Sequence, residues 1–225
     1  NPWRGCTKVA AGCAHCYART LSRRLQAMGQ AHYVNGFDVA LHPDSLHLPL
    51  TWKKPKRIFV NSMSDLFHQA IPDEFIQRVF DVMLKADWHT YLILTKRATR
   101  MLEFMTEHGE YVQDNIWLGV SVENQHFANT RIPALLATPA AVRFLSCEPL
   151  LGPLNLTGFG SPTWGKIPLS HWLHWTIVGG ESGPHARPMD ITWARDLKAQ
   201  CQTAGIAFFM KQLGGKHGKR ELLTD

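Results

Sequence analysis

Cys6, Cys13 and Cys16 crowd into the first sixteen residues at the spacing C-x6-C-x2-C, and a helix is expected to open directly behind them at Tyr17 and Ala18. Thiolates are soft, anionic donors, and three of them on a loop carrying Gly5 and Gly12 can fold around one metal centre. Such a set serves an iron–sulfur cluster, where Cys-x2-Cys pairs are common, or zinc, which needs a fourth ligand such as His15 or a distant histidine. A disulfide framework fits poorly, because the total of five cysteines is odd and three lie at one end. The thiols therefore read as reduced and ready for metal.

A second set of polar residues recurs after short apolar runs. Six β-branched or aromatic runs, at 57–60, 91–94, 116–120, 142–145, 175–178 and 206–210, each lead into a polar cluster. The first leads into Asn61, Ser62, Ser64 and Asp65, the second into Thr95, Lys96 and Arg97, and the third into Ser121, Glu123 and Asn124. The fourth leads into Ser146 and Glu148, the fifth into Gly179, Gly180, Glu181 and Ser182, and the last into Lys211 and Gln212. In a barrel of βα units all of these open on one rim, the face where such enzymes place their chemistry. A helix cap or a turn explains any single cluster. Six together, several charged and close to apolar strands, point to a site whose charges a zwitterionic ligand would partner.

Individual roles follow from residue type. Lys96 and Arg97 suit a carboxylate or a phosphate. Ser121, Glu123 and Glu148 suit ribose hydroxyls or substrate, with an ion pair to Lys96, Arg97 or Lys211 as the alternative. Gly179 and Gly180 allow a ligand close to the backbone, and a strand bulge would look the same. Cys147, beside Glu148, is a candidate hydrogen-atom donor or else a small buried hydrophobe, while Cys201 falls on the inward stripe of a helix and reads as core. His15 and His68 are available as ligands or proton donors.

The elements that must position these residues alternate regularly. The runs are apolar on both faces, as parallel strands covered by helices should be. A helix over 72–85 has Pro at its first turn and buries Ile76, Val79, Phe80 and Met83. Another over 191–203 stacks Trp193, Leu197 and Cys201 and stops at Gly205, and a first one over 16–28 turns Leu21, Leu25 and Met28 inward and ends at Gly29. This alternation predicts an α/β fold, a partial TIM-like (β/α) barrel of about six to seven parallel strands. The first residues read as loop, which leaves room for a seventh strand upstream of Asn1. Two stretches, near 30–56 and 152–174, break the rhythm and are expected to be insertions that shape a substrate cleft in a single domain spanning 1–225.

Bulk properties narrow the class. The 225 residues, 45% hydrophobic, suffice for one sizeable core. No secretory leader and no long apolar span is visible, so a soluble, cytoplasmic protein without a membrane partner is expected. The net charge of +6 and the eight tryptophans allow a nucleic-acid partner, although the cations are scattered, as on an ordinary basic surface.

The three close cysteines, the Cys16-Tyr17-Ala18 end of the motif and the βα alternation resemble the radical S-adenosylmethionine enzymes. The resemblance is closer to a phage-associated three-cysteine protein family, a radical S-adenosylmethionine candidate. It rests on Asn1-Pro2-Trp3-Arg4-Gly5-Cys6, Phe59-Val60-Asn61-Ser62-Met63-Ser64-Asp65-Leu66-Phe67, Leu94-Thr95-Lys96-Arg97, Leu118-Gly119-Val120-Ser121-Val122-Glu123-Asn124, Glu148-Pro149-Leu150-Leu151-Gly152, Val178-Gly179-Gly180-Glu181-Ser182-Gly183 and Lys211-Gln212, and it covers nearly the whole chain. It implies a [4Fe-4S] cluster on Cys6, Cys13 and Cys16, with one iron open to the amino and carboxylate groups of S-adenosylmethionine. It also implies an electron donor as partner, and reductive sulfonium cleavage followed by hydrogen abstraction from a substrate. Asn61, Ser62 and Asp65 are then the expected contacts of the methionine end, with Lys96, Ser121, Glu123, Glu148, Gly179, Gly180, Glu181 and Lys211 as further cofactor-binding candidates. The sequence departs from the superfamily in two respects. Its first cysteine gap is longer than usual, and its Gly179-Gly180-Glu181 follows a late strand rather than the second, so the amine-binding role of that motif is not carried over. The rivals are a zinc-stabilised nucleic-acid-binding module and an electron-transfer protein without cleavage activity.

Overall fold

The computed structural model describes residues 2–159, 169–183 and 185–215. Asn1 of the opening motif and positions 160–168 of the second insertion lie outside the described residues. In chain order the elements are β1 (Trp3–Arg4), α1 (Tyr17–Ala27), β2 (Ala40–Leu41), α2 (Leu48–Thr51), β3 (Arg57–Phe59), α3 (Asp73–Lys85), β4 (Thr90–Thr95), α4 (Ala98–Glu107), β5 (Ile116–Ser121), α5 (Gln125–Ala137), β6 (Val142–Cys147), β7 (Trp175–Gly179), α6 (Ile191–Ala204) and β8 (Ala207–Gln212). The fold is α/β, and β3 to β8 form a six-stranded sheet in simple chain order. Pairing is parallel between β3 and β4, β6 and β7, and β7 and β8. All six apolar runs are strands.

Local chemistry accounts for the elements. In α3 the preceding Pro72 and the first-turn Asp73 and Glu74 suit the positive helix start, Lys85 suits the end, and Phe75, Ile76, Val79, Phe80 and Met83 are buried. In α6 the Asp190 carboxylate accepts a hydrogen bond from Thr192 N at 2.9 Å, and Gly205 closes the helix at φ 73°. Ala194, Leu197 and Cys201 form its buried stripe, with Trp193 half-buried beside them. Strands β4, β5 and β6 are buried along most of their length, whereas the outer β3 and β8 alternate.

The chain divides into two compact units, one of Asn1–Leu118 with Thr138–Ala141, the other of Gly119–Ala137 with Val142–Asp225. In the first, the opening residues are not loop. Trp3 and Arg4 pair antiparallel with Leu41 and Ala40, and Trp3 is fully buried with its ring edge-on to Phe75. A two-residue strand leaves no periodicity to read, and its partner lies across an insertion. That insertion, 30–56, is itself built from β2, α2 and short 3-10 turns. The inward face of α1 also differs from expectation. Ala18 and Ser22 are buried while Leu21 and Met28 are exposed. Small side chains let the helix approach the insertion backbone, where the Ser22 hydroxyl donates to Gly36 O.

In the second unit, the described part of the 152–174 insertion is tied to α6. Gln200 accepts from Leu156 N at 2.7 Å and donates to Leu154 O at 2.9 Å. Among the described residues no helix is long and apolar enough to cross a membrane.

Candidate metal centre and strand-end clusters

The cysteine loop is held at both ends by turns that follow β3 and β4. At its start Gly5 has φ 84°, and a Cβ there would lie 2.1 Å from Asp38 O, so only glycine permits this approach. Gly5 N donates to Met63 O at 3.2 Å, which runs the chain beside the 61–65 turn. Next along, Arg97 donates to Cys6 Sγ at 3.5 Å and to Thr7 O and Oγ1 at 3.3 and 3.1 Å. His68 Nδ1 accepts from Ala70 N at 3.1 Å, so its proton sits on Nε2 and points at Thr7 Oγ1, 2.9 Å away. At the far end a 3-10 turn carries Ala11–Cys13, and the Tyr17 hydroxyl donates to Ser62 O.

Asp65 is the hub of this arrangement. Its side chain is nearly buried and accepts from Thr95 Oγ1 at 2.7 Å, Phe67 N at 3.1 Å, Lys96 N at 3.1 Å and Arg97 Nη1 at 2.8 Å. Asn61 is engaged as well, donating to Leu94 O at 2.6 Å and accepting from Leu94 N at 3.3 Å, and so extends the β3–β4 ladder. Both side chains were expected at a ligand. In the structure Asn61 is bonded to the backbone, and Asp65 to the backbone, Thr95 and Arg97, because a buried amide or carboxylate is satisfied by what lies next to it. Ser62 contributes its carbonyl to the loop anchor. Lys96 contributes its backbone amide to Asp65.

Burial pushes the Cys6 thiol up, and Arg97 opposes that shift. Burial would lower Arg97, but Asp65 and Cys6 hold it above its ordinary value. His68 is lowered by burial and by Arg97. Cys6, Cys13 and Cys16 are free thiols, each half-buried. They fit an iron–sulfur group in donor chemistry, being three unbridged sulfurs on one anchored loop. Among the described residues, however, no three His, Cys, Asp or Glu side chains are gathered closely enough to hold a metal ion.

The second unit brings together the remaining candidates. Glu123 is fully buried and pairs with Arg131 at 2.8 Å, and the same guanidinium nitrogen donates to Ser121 O at 2.7 Å. Glu148 accepts from Ser146 Oγ and from Lys211 Nζ, both at 3.2 Å. Glu181 is gripped bidentately by Arg187, at 2.9 Å from Nε and 2.7 Å from Nη2. Gly179 faces Glu148, whose Oε1 would lie 2.6 Å from an added Cβ, and Gly180 faces Leu213 O at 2.1 Å. At both glycines a close approach is made by this chain itself. Cys147, expected on the rim as a hydrogen-atom donor, is wholly buried, and burial pushes its thiol well up. It and Cys201 are core residues.

Arg131 and Arg187, the partners of two of these glutamates, went unnoticed in the sequence, as did Thr7. The signal was present for the arginines: each lies eight or fewer residues after its acid in a segment otherwise poor in charge. For Thr7 there was none, since its contacts come from residues 61 and 90 positions away.

A family model described as "Protein of unknown function (DUF5131)" matches residues 1–223. No curated protein and no solved structure matches the chain.

Proposed function

The chain belongs to the DUF5131 family, and we propose that it is a radical S-adenosylmethionine-type enzyme whose Cys6, Cys13 and Cys16 hold a [4Fe-4S] cluster. One observation carries this reading: three unbridged thiols share a loop whose two ends are pinned to strand-end turns while the sulfurs stay half-exposed. A core cysteine would be buried and a disulfide pair would be closed; neither arrangement is present at these three positions. As part of the same proposal the six-stranded sheet is the partial TIM-like barrel of such enzymes, working in the cytoplasm and fed by an electron donor. When bound, the cluster would supply one electron for reductive cleavage of the carbon–sulfur bond of S-adenosylmethionine, the chemistry that initiates hydrogen abstraction from a substrate.

The chain's own residues would do the rest. Arg97, fixed by Asp65, sets Cys6 and Thr7 in place and puts positive charge beside an anionic sulfur. His68, with its proton on Nε2, holds the Thr7 hydroxyl from the other side. Asp65 and Asn61 are thus positioning residues, acting through Arg97 and through the β4 backbone. In the second unit Lys211 and Glu148 form the most accessible of the ion pairs and are the groups left open to a ligand.

The test is anaerobic reconstitution of the full chain with iron and sulfide, followed by reduction in the presence of S-adenosylmethionine. The expected result is a brown protein that binds iron and acid-labile sulfide and releases 5′-deoxyadenosine, with all three lost in Cys6→Ala, Cys13→Ala and Cys16→Ala. A protein that is colourless and carries equimolar zinc when purified anaerobically would overturn the cluster and favour the zinc-stabilised module instead. A reducible cluster without 5′-deoxyadenosine would leave electron transfer.

A further inference from the structure

Beside the cysteine loop, within the first unit, lies a cavity of about 300 Å³. Its walls are Cys6 and Thr7, the α1 residues Arg19, Arg23 and Gln26, and the insertion between Asn35 and Val39. That volume is at the lower end of the range for pockets that bind small ligands.

Arg19 and Arg23 are the arginines among the cavity's wall residues. They lie four residues apart on α1, where like charges repel by a few tenths of a kcal/mol. The helix, YARTLSRRLQA, contains three arginines and no acid that could offset them. Among the described residues neither Arg19 nor Arg23 has a hydrogen-bonded or ion-paired partner, in contrast to Arg97, Arg100, Arg131 and Arg187. Arg19 does have a mount. Its guanidinium carbon sits 5.2 Å from the centre of the Phe37 ring, which holds the fork in place and leaves its N–H edge available. Two planar forks lining one cavity match the oxygens of a phosphate. Asp38 shares the wall, so two guanidiniums and one carboxylate leave a net charge of one positive unit, which balances the single negative charge of a phosphodiester.

We propose that this cavity is an anion subsite that takes a backbone phosphodiester of a single-stranded nucleic-acid substrate and sets the neighbouring nucleotide beside Cys6. The inference deepens the reading above by naming its substrate class. It is tested on metal-free protein, so it stands or falls separately from the cluster.

The experiment measures fluorescence anisotropy of a 5′-labelled thymidine octamer titrated with the metal-free full chain at low and moderate salt. Arg19→Ala/Arg23→Ala is expected to weaken binding by about tenfold or more, as loss of charge-assisted hydrogen bonds should. Arg19→Lys/Arg23→Lys keeps the charge and helix propensity while losing the forks, and should weaken binding by several-fold. Lys53→Ala/Lys54→Ala removes equal charge from an exposed stretch outside the cavity and should change binding by less than about twofold. Asp38→Asn should tighten binding. Thermal melts by circular dichroism confirm that each variant is folded. Absence of octamer binding at low salt overturns the proposal, as does an equal loss in the Lys53/Lys54 control, which would mean a diffuse basic surface. Weaker binding by Asp38→Asn would point to a ligand bearing its own cation. Displacement of the octamer by micromolar 5′-AMP would assign the cavity to a free nucleotide, and the nucleic-acid source would fail.

Discussion

The two units use the same device, a carboxylate just beyond a strand paired with an arginine, and take it to different ends. In the first unit Asp65 holds Arg97, and the guanidinium reaches past it to Cys6 Sγ and to Thr7. In the second, Arg131 spends its Nη1 on Glu123 and Ser121 O, and Arg187 turns three nitrogens on Glu181. The first network ends on half-exposed sulfur, whereas the described bonds of the second run between carboxylate, guanidinium and backbone. A charged residue after a strand therefore says little by itself. What marks chemistry is whether its network of partners terminates on a group with coordination or hydrogen-bonding capacity to spare.

The strongest way to break this contrast is to remove the buried cation of the second network. Arg131→Met removes the guanidinium that is ion-paired with a fully buried Glu123, and the expected loss is about 3–5 kcal/mol in urea unfolding. Glu123→Leu/Arg131→Met should recover most of it, because an apolar pair of similar volume needs no solvation. A loss below about 1 kcal/mol in the single variant would mean that the pair is not structural, and that Glu123 is open to a ligand after all.

A smaller effect sharpens the comparison by matching one acid from each unit. Asp65→Asn and Glu181→Gln each weaken a buried, charge-assisted network and should each cost about 1–3 kcal/mol. They should part in a second readout. With Asp65→Asn the start of the cysteine loop loses its mount, and alkylation of Cys6 by iodoacetamide, followed by peptide mass spectrometry, should accelerate. With Glu181→Gln it should not change. Equal alkylation rates in the two variants would show that Asp65 does not act through Arg97 on the thiol.

The same contrast explains what could be read from the sequence. Strands and the helices after them were legible because burial on both faces enforces unbroken apolar runs, as in Thr90–Thr95, and because helix ends carry characteristic residues, as at Pro72 and Gly205. The β1–β2 pairing was not, since two residues are too few for a period. Nor was the buried face of α1, where Ala18 and Ser22 are chosen for close approach rather than hydrophobicity. Among the candidate residues, position after a strand was visible, but the use of each side chain was not. Asn61 and Asp65 look like ligand contacts in a list of polar residues; only the register with Leu94 and the reach of Arg97 show them occupied.

The smallest expected effect concerns two histidines, one in each unit, both lowered from their ordinary value of 6.5, His68 by burial and Arg97, His174 by burial. Each Nδ1 accepts a backbone N–H, from Ala70 at His68 and from Arg143 at His174, both at 3.1 Å, and protonation there would break that bond. The folded protein therefore resists protonation more than the unfolded chain does, so between the ordinary and the lowered value the unfolded state binds more protons. The contribution to stability is complete above pH 6.5 and is lost as pH falls through the lowered values. His174→Asn, which keeps an acceptor near Nδ1 but cannot titrate, should flatten the acid limb of the stability–pH curve. His68→Asn should flatten it too, and additionally cost about 1 kcal/mol at neutral pH because the hydrogen bond to Thr7 goes with the ring. Urea midpoints for both variants and the wild type between pH 7 and pH 5 check this, and parallel curves would show that neither imidazole is held neutral by its backbone donor.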